Sequence, residues 1–184
     1  MTTHSTQKSM LRESLTDMLN GAKICIEYDK SNGGCLGYPA CLLLLCVADT
    51  IASYHEGDTD FEIKVEGENR MIKSNGYQRF YIFNSSYYNL TLRENFIKKI
   101  YENYRSLLVH NGTLANKHFL SIDHPLRLPF DESGFQNELT GEKYPSVSLR
   151  PLWMHSAIAV TKFLKDVDKI LEKSKISKNI DKKN

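Results

Sequence analysis

Apolar side chains recur at every third or fourth position in several parts of the chain, which is the spacing of one face of an α-helix. The first such stripe spans residues 9–28, and Ser9 is placed to cap the helix. A second helix is predicted over residues 37–51, where the segment is apolar on nearly every side. Both segments predict helices that pack against other elements of a mainly α protein. The first stripe consists of Met10, Leu11, Leu15, Met18, Leu19, Ala22 and Ile26.

Two more helical stripes lie in the second half of the chain. Thr91 and Glu94 have the spacing of a capping box, and they predict the start of a long helix that ends near Gly112. A last helix is predicted from Ser148 to about residue 173, again with apolar residues at helical spacing. The aromatic-rich residues 77–88 fit a short helix or a packed loop that fills the core.

Two other segments lack this helical spacing. Residues 58–75 alternate apolar and charged positions around Gly67, which predicts a short hairpin or an irregular excursion. Residues 113–149 include Pro125, Pro129 and Pro145 and have little helical periodicity, so a long loop region with short strands at 119–122 and 147–149 is predicted there. The predicted fold class is therefore mainly α, with a small irregular or β excursion and one long loop region.

Length and charge place further bounds on the protein. The chain has 184 residues, which predicts one domain at residues 9–173, preceded by a polar leader at 1–8 and followed by a basic disordered tail at 174–184. The net charge of +2 is too small to draw the whole protein to nucleic acid or to a membrane, so any such patch is local. The longest apolar run, residues 39–48, is about half a membrane span. No secretory signal opens the chain, and we expect a cytoplasmic protein with no membrane partner.

Common cofactor and metal motifs are missing from the sequence. It has no P-loop, no Rossmann glycine pattern and no CxxC pair, so no cofactor and no metal are expected. Asp49, His55 and Glu56 do not share one helix face, and Asp49 is better explained as a cap or as an ion-pair partner of Arg105. His118 and His124 flank a short predicted strand, but two histidines make an incomplete metal site.

Candidate chemistry is concentrated at the end of the third long helix, where residues 104–111 read Tyr-Arg-Ser-Leu-Leu-Val-His-Asn. The guanidinium of Arg105 suits phosphate oxygens, and the imidazole of His110 can take or give a proton near neutral pH. In a straight helix a five-residue step turns by about 140°, so the two groups diverge unless the helix end unwinds or a second chain supplies the partner group. The alternative is structural: Arg105 pairs with an acid and His110 caps the helix.

The segment 104–112 resembles the signature of the HEPN superfamily, in which an arginine is followed by four to six residues and then a histidine. The resemblance covers roughly residues 9–173 and implies an up-and-down bundle of four to five helices. It also implies a metal-independent endoribonuclease that acts as a homodimer, with the two motifs meeting in one cleft. In that enzyme Arg105 would bind the scissile phosphate, and His110 would act as general base or acid while the ribose 2′-hydroxyl attacks phosphorus.

The same resemblance implies further site residues and a biological role, and it leaves alternatives open. Ser106, Asn111 and Tyr104 become the neighbouring candidates for substrate binding, and a 2′,3′-cyclic phosphate end is the expected product. Such an enzyme would serve as a toxin or defence effector, with RNA as substrate and an antitoxin or regulatory protein as a further partner. Active members commonly carry Asn, Asp or His where this chain has Ser106. The alternatives are therefore a noncatalytic HEPN-like dimer that binds RNA, nucleotide or a protein, and a structural bundle that uses residues 113–149 as its interface.

Overall fold

The computed structural model describes residues 6–55, 60–65 and 67–181, which form helices and two small sheets. The first half contains α1 (Gln7–Glu27), α2 (Gly37–Ser53), β1 (Asp60–Val65), β2 (Glu68–Lys73) and a 3₁₀ segment (Gly76–Asn84). One continuous helical stretch follows, made of α3 (Glu94–Lys99), a π-helical segment (Ile100–Ser106) and α4 (Leu107–Asn111). The last part contains β3 (Phe119–Ser121), β4 (Phe130–Gln136), β5 (Lys143–Ser148), α5 (Leu149–Lys173) and α6 (Lys175–Asp181).

The core lies between α1, α2 and α5, which pack against one another. Leu15, Leu44, Ile51 and Phe163 are fully buried there. These helices confirm the predicted stripes over 9–28, 37–51 and 148–173, although α1 begins two residues early because Thr6, not Ser9, supplies the capping oxygen. Within the described ranges, no helix combines the length and apolar character needed to cross a membrane.

The third long helix starts later than its sequence predicts. Asn84 forms two hydrogen bonds with the backbone of Leu92, donating to its carbonyl at 2.7 Å and accepting from its amide at 2.8 Å. These bonds hold the chain extended past Thr91, so the helix begins at Glu94 with Arg93 as its cap residue and the predicted capping box does not form. At the other end Gly112 takes the left-handed conformation, with φ of 65°, and stops the helix as expected.

The up-and-down bundle of four to five helices is wrong, because the predicted loop region over 113–149 contains a sheet. The strand order is β3-β5-β4, with β5 parallel to β3 and antiparallel to β4. Phe130 on β4 and Val147 on β5 are buried on the face toward the core, and this burial holds the sheet against the helices. The protein is a mixture of six helices and two small sheets in its described part.

The second sheet is a hairpin within the predicted excursion at 58–75. The strands β1 and β2 pair antiparallel, with Asp60 opposite Lys73 and Val65 opposite Glu68. Gly67 in the turn has φ of 92°, which favours glycine. The hairpin is therefore the alternative that the structure shows, while residues 58, 59 and 66 lie outside the described part of the chain.

The segment expected as a disordered tail, residues 174–184, contains the short helix α6 up to Asp181. The Gln7 side chain at the start of α1 forms two hydrogen bonds with Ser177, to its carbonyl at 3.1 Å and from its hydroxyl at 2.8 Å. This contact joins α6 to the start of α1. Gln7 and Lys8, the last two residues of the predicted leader, belong to α1. Residues 1–5 of that leader and residues 182–184 lie outside the described part.

Candidate functional site

Arg105 lies in the π-helical segment and points toward α2. Its Nη2 donates a hydrogen bond of 2.8 Å to Oδ2 of Asp49, whose side chain is 15% exposed, while that of Arg105 is 24% exposed. The guanidinium carbon lies 5.7 Å from the centre of the Tyr101 ring, which is within the range of a cation–π contact. The sequence-based pairing of Asp49 with Arg105 is confirmed. Two contacts therefore fix the direction of a guanidinium that stays accessible from solvent.

A second guanidinium shares the same carboxylate. Nη1 of Arg79, in the 3₁₀ segment, lies 3.5 Å from Oδ1 of Asp49. Nε of Arg105 is buried and, within the described residues, has no hydrogen-bond partner. Asp49 therefore aligns two cationic forks from different elements, and planar forks of this kind suit the oxygens of a phosphate. The sequence offered no signal for Arg79, because it stands among aromatic residues with no motif around it.

The π geometry explains why Arg105 faces Asp49. A π turn closes hydrogen bonds between residues five apart, so it takes up one more residue than an α turn and shifts the faces of the helix that follows. Tyr104 and Leu108 are buried on the core side of this stretch, and Arg105 follows directly on the side of α2. Single π turns within α-helices are frequent at functional sites.

His110 lies in the last turn of α4 and is exposed, as is the neighbouring Asn111. No hydrogen bond or ion pair joins His110 to Arg105 in the described part of the chain. Most of the five-residue step between them is α-helical, so the two side chains leave the axis in directions about 140° apart. The structure therefore does not bring Arg105 and His110 together within one protomer.

Tyr104 is fully buried, so it offers no surface to a substrate in this protomer. Its hydroxyl donates a hydrogen bond of 2.9 Å to the Pro145 carbonyl on β5, and burial raises the pKa of Tyr104. Its ring packs edge-on against His118, with centroids 5.4 Å apart. Tyr104 therefore anchors the sheet to the helix. Ser106, the residue after Arg105, is half-buried.

The histidines at 118 and 124 have separate structural partners. The ring nitrogens of His118 lie 3.0 Å from Nδ2 of Asn103 and 2.9 Å from the Asn116 carbonyl. The His124 ring lies 3.1 Å from Oδ2 of Asp131 through Nε2, and its Nδ1 accepts a hydrogen bond from the Leu126 amide. Both nitrogens of each ring are thus engaged in local hydrogen bonds.

The other candidate metal ligands, Asp49 and His55, have structural partners instead. Asp49 pairs with arginines, and His55 is buried among aromatic rings, while Glu56 lies outside the described residues. In the described part of the chain, no group of three or more His, Cys, Asp or Glu side chains is arranged to hold a metal ion.

Replacing Asp49 by Ala is expected to lower the free energy of unfolding by about 2 kcal/mol, because Arg79 and Arg105 both lose this carboxylate in a partly buried setting. Asp49→Asn keeps a hydrogen-bond acceptor and should lose about half as much. Urea unfolding measures both changes. The control is Asp17→Ala, an exposed carboxylate on α1 that should change stability by less than about 0.5 kcal/mol. Equal stabilities for wild type and Asp49→Ala would contradict the structural role of the pair.

Comparison with protein-family models, curated proteins and solved structures finds no match to this chain. The functional interpretation therefore starts from the side chains of the site. The relevant features are a guanidinium held in place by a carboxylate and an exposed imidazole on the same helical stretch.

Proposed function

We propose that this protein is a metal-independent endoribonuclease of the HEPN type that works as a homodimer. The observation that carries the proposal is the position of Arg105, held 2.8 Å from Asp49 but still accessible, five residues before the exposed His110. A fixed guanidinium and a free imidazole are the two groups that transfer of a phosphodiester to a neighbouring hydroxyl requires.

Arg105 binds the scissile phosphate in this proposal. One N–H of Nη2 is engaged by Asp49 and Nε is buried, so the other N–H groups of Nη1 and Nη2 are the donors for the phosphate oxygens. Asp49 acts as a positioning residue because it removes rotamer freedom from Arg105 before RNA binds. Charge that develops on the phosphate oxygens in the transition state then meets a guanidinium already in place.

His110 moves the protons. As general base, its imidazole takes the proton of the ribose 2′-hydroxyl while the 2′-oxygen attacks phosphorus. The bond from phosphorus to the 5′-oxygen breaks, a water molecule gives that oxygen a proton, and His110 then releases its own proton to the solvent. The products are a 2′,3′-cyclic phosphate and a free 5′-hydroxyl, so atoms and charges balance without a metal ion.

The geometry of one protomer supports the proposed homodimer. Arg105 faces α2 and His110 faces solvent, so each needs its counterpart from a second copy to act on one phosphate. Val109, beside His110, is 44% exposed and provides apolar surface at the same end of the helix. A cleft between the α4 ends of two copies would contain Arg105 from one copy and His110 from the other.

An RNA-cleaving dimer of this kind must be restrained in the cell that makes it. We therefore place it in the cytoplasm as a toxin or defence effector, with an antitoxin or regulatory protein as its further partner. A noncatalytic HEPN-like dimer that binds RNA, nucleotide or a protein is the alternative. It is favoured by Ser106, which stands where active members carry Asn, Asp or His.

Incubation of the purified protein with mixed single-stranded RNA in excess EDTA tests the proposal. Cleavage is expected to persist in EDTA, because the proposed steps use only Arg105 and His110, and the new ends should be 2′,3′-cyclic phosphates and 5′-hydroxyls. His110→Ala purified in the same way controls for contaminating nuclease. Binding of RNA without cleavage would favour the noncatalytic alternative, and cleavage that stops in EDTA would contradict the mechanism.

A further inference from the structure

The outer face of the β3-β5-β4 sheet carries three aromatic rings. Directly paired residues share a face of a sheet, so Phe135 lies beside Tyr144, and Phe119, opposite Ser146, lies on that face too. The Phe119 and Phe135 rings stack with centroids 3.8 Å apart and planes 16° apart, and the Phe119 and Tyr144 rings are 5.6 Å and 27° apart. Phe119, Phe135 and Tyr144 are called the aromatic face below.

This stacking differs from aromatic packing in the core. The Phe83 ring meets Phe130 at 64° and Tyr88 at 77°, and edge-to-face packing of this kind is one of the two arrangements that aromatic pairs favour. Among the described residues, near-parallel rings occur only on the aromatic face. Phe135 is 40% exposed, whereas Phe119 is half-buried and Tyr144 is buried beneath the stack. A parallel stack with an exposed member is a surface on which a further flat ring can lie.

A bulge in β4 presents Phe135. The pairing of β4 with β5 shifts register between Asp131 and Phe135. A Cβ at Gly134 would lie 2.7 Å from Cβ of Asp131 and 2.8 Å from Oγ of Ser146, so this position has room only for glycine. Bulges often re-aim a side chain near a site. The local backbone is thus shaped to place the Phe135 ring on the outer face.

The aromatic face lies next to the positive charge of Lys117 and to the helical stretch that contains Arg105. Nζ of Lys117 lies 5.3 Å from the centre of the Tyr144 ring, and it pairs with Glu142 while 56% of its side chain stays exposed. The Tyr104 hydroxyl donates a hydrogen bond to the carbonyl of Pro145, the residue that follows Tyr144 on β5. Tyr104 directly precedes Arg105 in the chain. The aromatic face is therefore joined directly to the helix that carries the proposed phosphate-binding residue.

We propose that the aromatic face binds unpaired bases of single-stranded RNA, with a base stacked on Phe135 and a neighbouring phosphate near Lys117. This inference rests on the proposed function, since it assigns a binding surface to the same substrate. Stacking on aromatic rings needs a base whose flat surface is free, so single strands bind and duplexes do not. The aromatic face then holds RNA next to the helical stretch that contains Arg105.

Fluorescence anisotropy with a labelled 2′-O-methyl oligonucleotide measures this binding, because the blocked 2′-oxygen prevents cleavage. Phe135→Ala is expected to weaken binding about tenfold, and Phe135→Leu should weaken it similarly because it keeps apolar surface but loses the flat ring. Phe135→Tyr keeps the ring and should bind like wild type. The matched control is Leu139→Ala, in the loop after β4, whose side chain is 97% exposed.

The outcomes separate this inference from the proposed function. Wild-type affinity in Phe135→Ala and Phe135→Leu would overturn the inference, and so would equal affinity for the oligonucleotide and its duplex. Loss of binding in those variants, together with a wild type that never cleaves RNA, would keep the aromatic face and reject the nuclease. Cleavage that requires Arg105 and His110 but ignores Phe135 would keep the nuclease and reject the aromatic face.

Discussion

Alanine in place of Arg105 or His110 is expected to lower the rate of RNA cleavage by about 10²- to 10⁴-fold, and mixing the two inactive variants should restore activity. The reason is that the two side chains diverge within one protomer, so each composite site takes Arg105 from one chain and His110 from the other. A mixed dimer of Arg105→Ala and His110→Ala then has one site with both groups intact and one with neither.

The size of the recovery follows from the symmetry of a twofold dimer. After subunit exchange of equal amounts, half of the dimers are mixed and each has one of two sites, so about a quarter of wild-type activity should return. The control mixes His110→Ala with the double variant Arg105→Ala/His110→Ala, a pair that cannot assemble an intact site. Single-turnover cleavage measures the rates, and light scattering measures the dimer. A strict monomer, or no recovery in a proven mixed dimer, would reject the composite site.

Acidification from about pH 6.5 to about pH 4 is expected to destabilise the protein by about 3 kcal/mol through His55. His55 is buried among the rings of Phe61, Tyr87 and Phe163, and its Nε2 has no hydrogen-bond partner in the described residues. Burial lowers the pKa of His55 from 6.5 to about 4, an effect that Asp60 partly opposes. Below pH 6.5 the unfolded chain therefore binds a proton that the folded protein does not.

The sign of this effect is set by proton uptake on unfolding. Because the folded pKa lies below the unfolded one, the His55 contribution is fully present above about pH 6.5 and is lost as the pH falls toward 4. Urea unfolding of wild type and His55→Leu across this range isolates the contribution, since all other titrating groups are common to both. The free energy of unfolding should fall about 3 kcal/mol less in His55→Leu. Parallel curves for the two proteins would contradict the assigned burial.

The helices at 9–28, 37–51 and 148–173 could be predicted because each buries a broad apolar stripe that repeats at helical spacing. Of the β3-β5-β4 sheet, only β3 and the end of β5 could be predicted, as short strands at 119–122 and 147–149. Its β4 strand reads Phe-Asp-Glu-Ser-Gly-Phe-Gln, and Pro145 interrupts β5, so neither segment has the alternation of a strand. The pairing of Phe119 with Ser146 joins residues distant in the chain, and only tertiary contacts such as the Tyr104 hydroxyl bond select it.

The site was partly predictable from the sequence. An acid at the end of an apolar helix needs a cationic partner, and this requirement led from Asp49 to Arg105. Arg79 was missed because its contribution depends on the 3₁₀ segment approaching α2, which no local pattern shows. Tyr104 was grouped with the substrate-binding residues by its place in the motif, but the helical phase buries it.

The π-helical segment Ile100–Ser106 also affects how this chain should be aligned with others. A π turn contains one residue more than the α turn it replaces, so a homologue with an uninterrupted α-helix would be one residue shorter here. An alignment without a gap would then match Arg105 to the homologue's residue next to its true counterpart. Motif searches that require a fixed spacing should therefore allow a one-residue insertion upstream of the arginine.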